Sequence, residues 1–138
     1  MSYEVNLDDD DGRISTKVAF DLHLTSEDVD DIVTTAFEGG INYWCSQVSI
    51  NGEPLGDCAS EHVSKGGSVT LYDKVDDKEF TLDRDAVVRG IAEYIAHDGF
   101  EILEVSKVGR ATVDPGFVDA NVADSIVQYA IFGDIVYA

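Results

Sequence analysis

Twenty-eight Asp and Glu residues against nine Lys and Arg give this 138-residue chain a formal charge of -19, and no other property limits its folding as strongly. Charge of one sign opposes compaction, so a packed body forms only if the apolar residues are patterned well enough to put the carboxylates outside it. Here 44 % of the residues are apolar, with six Tyr, six Phe and one Trp among them, and they recur with helix and strand periods. The expectation is an acidic tail over residues 1–14, flexible because Asp8-Asp9-Asp10-Asp11 repels itself, followed by a single domain over 15–138. An EF-hand in this tail fails on spacing. With Gly12 at the sixth loop position, Leu7 and Val18 fall where calcium ligands belong.

Alternation of Val18, Phe20, Leu22 and Leu24 with Lys17, Ala19, Asp21 and His23 predicts a half-buried strand. Thr25 or Ser26 then caps a helix whose stripe is Val29, Ile32, Val33, Ala36 and Phe37, and Gly39-Gly40 is expected to stop it. A strand over 44–50 ends at Asn51-Gly52. Two strands, 69–72 and 79–82, read as a hairpin across a polar turn, and Asp83 caps a helix to about His97. A less regular extended segment covers Ile102, Leu103 and Val105. Asp114-Pro115-Gly116 is a turn, Asp119 caps a last helix through Phe132, and 134–137 suits a closing strand. The order β-α-β-β-β-α-(β)-α-β predicts an α+β domain, a mainly antiparallel sheet with about three helices packed on one face.

The residues point to little chemistry. No HxH, HExxH or CxxC pattern joins His23, His62 and His97 with the cysteines, so no metal is expected. Neither a GxxxxGK[ST] nor a GxGxxG loop is present and the charge opposes anionic ligands, so no nucleotide or other cofactor is expected. Cys45 and His62 form no distinctive pair, and packing for Cys45 with solvent for His62 is the simpler reading. No catalytic residue stands out and the chain does not read as an enzyme. A two-residue turn at Asn51-Gly52 would set Cys45 opposite Cys58, but Pro54 and Gly56 spoil the returning strand, which favours two free thiols. No segment approaches the length of a membrane span, and Met1-Ser2-Tyr3-Glu4 lacks the form of a signal peptide, so a cytoplasmic protein is expected.

A field of this sign repels nucleic acid and anionic membranes and draws in basic surfaces, so neither of the former is an expected partner. The candidate contact residues are therefore the acids Asp28, Asp30 and Asp31, then Asp76, Asp77, Asp83 and Asp85. To these are added the aromatic corner Glu38, Tyr43 and Trp44, and the pair Gln128 and Tyr129, since Tyr and Trp are enriched where interfaces concentrate their energy. Each has a plainer reading as solvated face or core edge.

The stretches 36–45 (AFEGGINYWC) and 119–137 (DANVADSIVQYAIFGDIVY), with Ala59-Ser60 and 65–73 (KGGSVTLYD), resemble a family of small proteins encoded by bacteriophages and prophages. The resemblance covers most of the chain after about residue 25. It implies a mobile-element setting in a bacterial or archaeal cell, and no catalytic residue. Small acidic phage proteins often resemble inhibitors of host defence, so the expectation is an anti-CRISPR or anti-restriction protein that mimics DNA and occupies a basic nucleic-acid-binding surface. Two alternatives stay open: a salt-adapted acidic protein with no mimic role, and a small-ligand protein or enzyme with a pocket near Trp44 and Tyr129. An exposed sheet edge is compatible with a homodimer.

Overall fold

A computed structural model of the chain describes residues 2–7, 16–97, 99–106, 108 and 110–138. The strands are β1 (Ser2–Leu7), β2 (Thr16–His23), β3 (Cys45–Asn51), β4 (Ser68–Asp73), β5 (Glu79–Asp83), β6 (Leu103–Val105) and β7 (Arg110–Val113). The helices are α1 (Ser26–Thr35), α2 (Ala59–Ser64), α3 (Arg84–His97) and α4 (Ala120–Phe132). The α+β class holds and pairing is mainly antiparallel, but the described strands divide into two sheets, β1-β2-β7-β6 and β3-β4-β5. Among the described pairings only that of β2 with β7 is parallel.

One contiguous core unites them. It takes Leu22, Ala111 and Val113 from the first sheet, Val69, Leu71 and Leu82 from the second, and the apolar stripes of α1, α3 and α4, with Val63 from α2. The α3–α4 crossing is close because Gly90 has no side chain: a Cβ there would collide with the carbonyl oxygen of Ile126.

Helix signals read from the sequence act as expected. Thr25 and Asp28 form a reciprocal capping box at α1, each bond 3.0 Å. Asp83 accepts the Ala86 N–H at 2.8 Å, Asp119 that of Val122 at 2.9 Å, and Gly133 closes α4 in the left-handed region at φ 72°. The β4–β5 hairpin pairs Leu71 with Phe80.

Several expectations need correction. Residues 2–7, assigned to the flexible 1–14 tail, form a strand paired with β2; Tyr3, Val5 and Leu7 alternate with polar residues, a period-two signal hidden beside the Asp run. That run, Asp8–Gly12, lies outside the described residues. Gly39-Gly40 does not stop α1 at once. The helix widens into a π-turn, Ala36–Gly40, closed by Ile41 N–H donating to Ala36 O at 3.0 Å, and a Cβ on Gly40 would stand 2.8 Å from Ala120 O. Two expectations hold here: the loop after Asn51-Gly52 makes no hairpin, since β3 pairs with β4, and both cysteines are free thiols, Cys45 buried and Cys58 exposed at the start of α2. Residues 134–137 join no sheet and are held by side chains instead.

Candidate functional site

Two regions gather the residues singled out from the sequence. The first is a polar cluster around Asp124, which α4 carries on the side facing the aromatic corner. Asp124 is buried, and its Oδ2 accepts the Tyr43 hydroxyl at 2.6 Å. Its Oδ1 accepts the Trp44 indole N–H at 2.7 Å and the Gln128 amide at 3.0 Å. Gln128, fully buried one turn on, receives the Val136 and Tyr137 backbone N–H groups at its Oε1, both at 2.8 Å. The C-terminal segment is thereby folded back, and the Tyr137 ring stacks on Trp44 at 5.1 Å and 4°. Beyond it the Tyr137 hydroxyl donates to Asp73 Oδ2 at 3.1 Å.

Burial pushes the Tyr43 phenol up to about 12, with the hydrogen bond to Asp124 and the repulsion of its charge adding to the effect. Burial and the Asp73 contact raise the Tyr137 phenol in the same sense. Asp73 is held below the ordinary aspartate value, first by the Asp76 backbone N–H, then by those of Lys78 and the Tyr137 hydroxyl. The Asp124 carboxylate accepts from three neutral groups fixed by the fold, an arrangement that holds structure.

Trp44 (3 % exposed) and Gln128 (0 %) are therefore core residues and cannot meet a partner directly. Tyr129 is also buried, stacked at 5.4 Å on His97. A cleft of about 360 Å³ lies over the cluster, lined by Tyr43, Asn121, Asp124, Ser125, Ile135, Tyr137 and Ala138, and so by neither Trp44 nor Tyr129. Cys45 and His62 do not pair with each other. The Cys45 thiol, raised by burial, donates to Gln47 O at 3.3 Å. His62, expected in solvent, is buried in α2; its Nδ1 accepts the Leu55 N–H at 3.1 Å, which makes Nε2 the donor to Asn51 O at 2.9 Å. Among the described residues no group of three or more His, Cys, Asp or Glu is placed to hold a metal ion.

The second region is the outer side of α1. Its inward stripe leaves Glu27 and Asp31 exposed, Asp28 and Asp30 half-buried, and Glu38 exposed on the following π-turn. None of the five is ion-paired with a described residue; the ion pairs between described residues lie elsewhere, Lys65–Glu61 at α2, Lys78–Asp76 in the β4–β5 turn and His97–Glu93 on α3. The sequence holds a signal for this face that residue-by-residue reading misses: from 18 to 64 there is no Lys or Arg, and nine acids. The other acids stand elsewhere. Asp76 and Asp77 occupy the β4–β5 turn, while Asp83, spent on its cap, and Asp85 lie at the far end of β5, about 13 Å along the strand at 3.3 Å per residue.

Compared with known proteins, the chain matches no family model, no curated protein and no solved structure. No helix among the described residues is long and apolar enough to cross a membrane. The stretches quoted for the phage resemblance include Tyr43, Trp44, Asp73, Asp124, Gln128 and Tyr137, the members of the polar cluster. They describe how this fold is closed, which is a different matter from what it binds.

Proposed function

We propose that this chain is a small acidic, phage-type binding protein that inhibits a host nucleic-acid-handling defence complex, of the anti-CRISPR or anti-restriction kind, by occupying a basic DNA- or RNA-binding surface as a nucleic-acid mimic. The carrying observation is the charge density of α1 and its π-turn. Glu27, Asp28, Asp30, Asp31 and Glu38 fall within eleven residue steps, about 16 Å of helix at 1.5 Å each. Five carboxylates bound four intervals, a mean spacing of about 4 Å with the first four crowded into one turn, the same order as the roughly 3.4 Å per phosphate along one strand of duplex DNA. The contact face accordingly narrows to α1, with Tyr43, 47 % exposed, beside it in sequence as an aromatic contact. The partner is basic, and the setting is the cytoplasm of the infected cell.

The test is a pull-down from host lysate at low and high salt, with wild type and a variant carrying Asp31→Asn, Glu27→Gln and Glu38→Gln. Retention of one nucleic-acid-handling assembly at low salt, competed by added DNA or RNA and lost in the variant, is the expected result. Equal retention by the variant, or none by wild type, rejects the reading.

A further inference from the structure

Resting on that reading, we infer that the groove between α1 and the start of α2 takes an arginine side chain of the basic partner. The groove encloses about 190 Å³. Asp30 and Glu38 supply carboxylates, Thr34, Phe37 and Ala59 supply carbon surface, and Cys58 stands at the α2 side. Acids and carbon in one groove match a long cationic side chain, whose stem buries against apolar atoms while its head finds a carboxylate. Arginine fits better than lysine, because its planar fork both binds carboxylates through two N–H groups and lies on an aromatic ring such as Phe37.

A second observation points the same way. Asp30 Oδ1 is buried from solvent and has no hydrogen-bond partner among the described residues. Buried carboxylate oxygens are ordinarily satisfied, and an unsatisfied one carries a desolvation cost that a donor from outside removes. No Lys or Arg lies between residues 18 and 64 to supply that donor from this stretch of chain. A guanidinium lodged in the groove supplies it once the Asp30 side chain, which lines that groove, turns this oxygen toward it, and the bond converts the diffuse attraction of the acidic face into a fixed register.

Cys58 provides the readout, being an exposed free thiol in the groove wall, while Cys45 is buried and serves as an internal control. The probe is a hexa-arginine peptide at low salt, with iodoacetamide alkylation of Cys58 followed by mass spectrometry. A cation merely near Cys58 favours the thiolate and speeds alkylation, so slowing reports physical cover of the groove. Bound peptide is expected to slow Cys58 alkylation about fivefold or more. Asp30→Asn is expected to abolish that protection and weaken affinity about tenfold, the scale of one charged hydrogen bond. Glu104→Gln, an equal charge change on exposed β6, is expected to alter affinity less than about twofold. Thr34→Phe, which narrows the groove and keeps every charge, is also expected to weaken binding, with circular dichroism confirming the fold of each variant.

If Asp30→Asn and Glu104→Gln weaken binding equally, or if protection is absent or survives Asp30→Asn, the groove assignment falls. The broader acidic-mimic reading then still stands on its own pull-down. If hexa-arginine binds no form of the protein at low salt, both fall together.

Discussion

Asp124 shows how one charged residue is made compatible with burial. Three neutral donors converge on its two oxygens, from Tyr43, Trp44 and Gln128. Such bonds to an ionised acceptor each contribute about 1.5–3 kcal/mol, and removing the acceptor strands the donors. Asp124→Ala is therefore expected to destabilise the fold by about 3 kcal/mol, and Tyr43→Phe by about 1 kcal/mol, measured by urea unfolding with Trp44 fluorescence as the probe. Loss of less than about 1 kcal/mol in Asp124→Ala would refute the cluster's structural role. Titration gives a second check at this scale. Since the Tyr43 phenol is raised from 10.0 to about 12 in the folded state, the protonated form is the one the fold favours. Its contribution is complete below the ordinary value and is lost as pH rises through the window between the two. Wild type should lose stability across that window more steeply than Tyr43→Phe, and ultraviolet titration should show one fewer late-ionising tyrosine in the variant.

At the scale of elements, what the sequence makes legible is whatever is encoded locally. The caps at Thr25, Asp83 and Asp119 and the stripes they precede need only neighbours within a turn, and α1, α3 and α4 begin where these residues place them. Pairing between distant strands has no such local record. The parallel match of Asp21–His23 with Arg110–Thr112 brings together segments almost ninety residues apart, and it is this match that completes a second sheet. α2 was hidden for another reason: six residues make less than two turns, too few for a stripe. The closing strand expected at 134–137 fails because Gln128 satisfies the backbone N–H groups that a sheet would have used. Of the candidate site, the α1 acids were legible as surface; Trp44 and Gln128 carried a core-edge reading beside the contact one, and the fold decides for burial by bringing Asp124 to them. Helix packing yields a sharp prediction. Gly90→Ala places a methyl against the Ile126 carbonyl and Ala130, so despite alanine's better helix propensity it should cost about 1–3 kcal/mol in chemical unfolding. A gain in stability would mean that α3 and α4 cross less closely. Glu38 predicts the opposite sign. A carboxylate at the C-terminal end of a helix with no basic residue in its last turn opposes the dipole, and Glu38→Lys should raise stability by about 0.3–1 kcal/mol while weakening partner capture.

For the whole molecule, the decisive variable is ionic strength, because a formal charge of -19 acts on folding and on binding with opposite signs. Screening relieves repulsion within the protein and so favours the folded state, but it also weakens attraction to a basic partner. The two leading explanations of the acidity separate by where the stabilisation stops. On α1, carboxylates such as Glu27 and Asp31 stand four residues apart, about 6 Å along the helix. The screening length falls from about 10 Å at 0.1 M salt to about 3 Å at 1 M, so repulsion at this spacing is largely quenched within that interval. A mimic needs its charge only for the partner, so its unfolding midpoint should rise at low salt and level off below about 1 M. A protein adapted to concentrated salt uses its carboxylates to remain hydrated there, and its midpoint should continue to climb into the molar range. Thermal unfolding in potassium chloride, beside capture of the partner over the same series, therefore tests the reading in one experiment. A plateau in stability, with capture declining throughout, is the expected pair of curves. A midpoint still rising beyond 2 M, with no captured assembly at any salt, would assign the acidity to solvation instead.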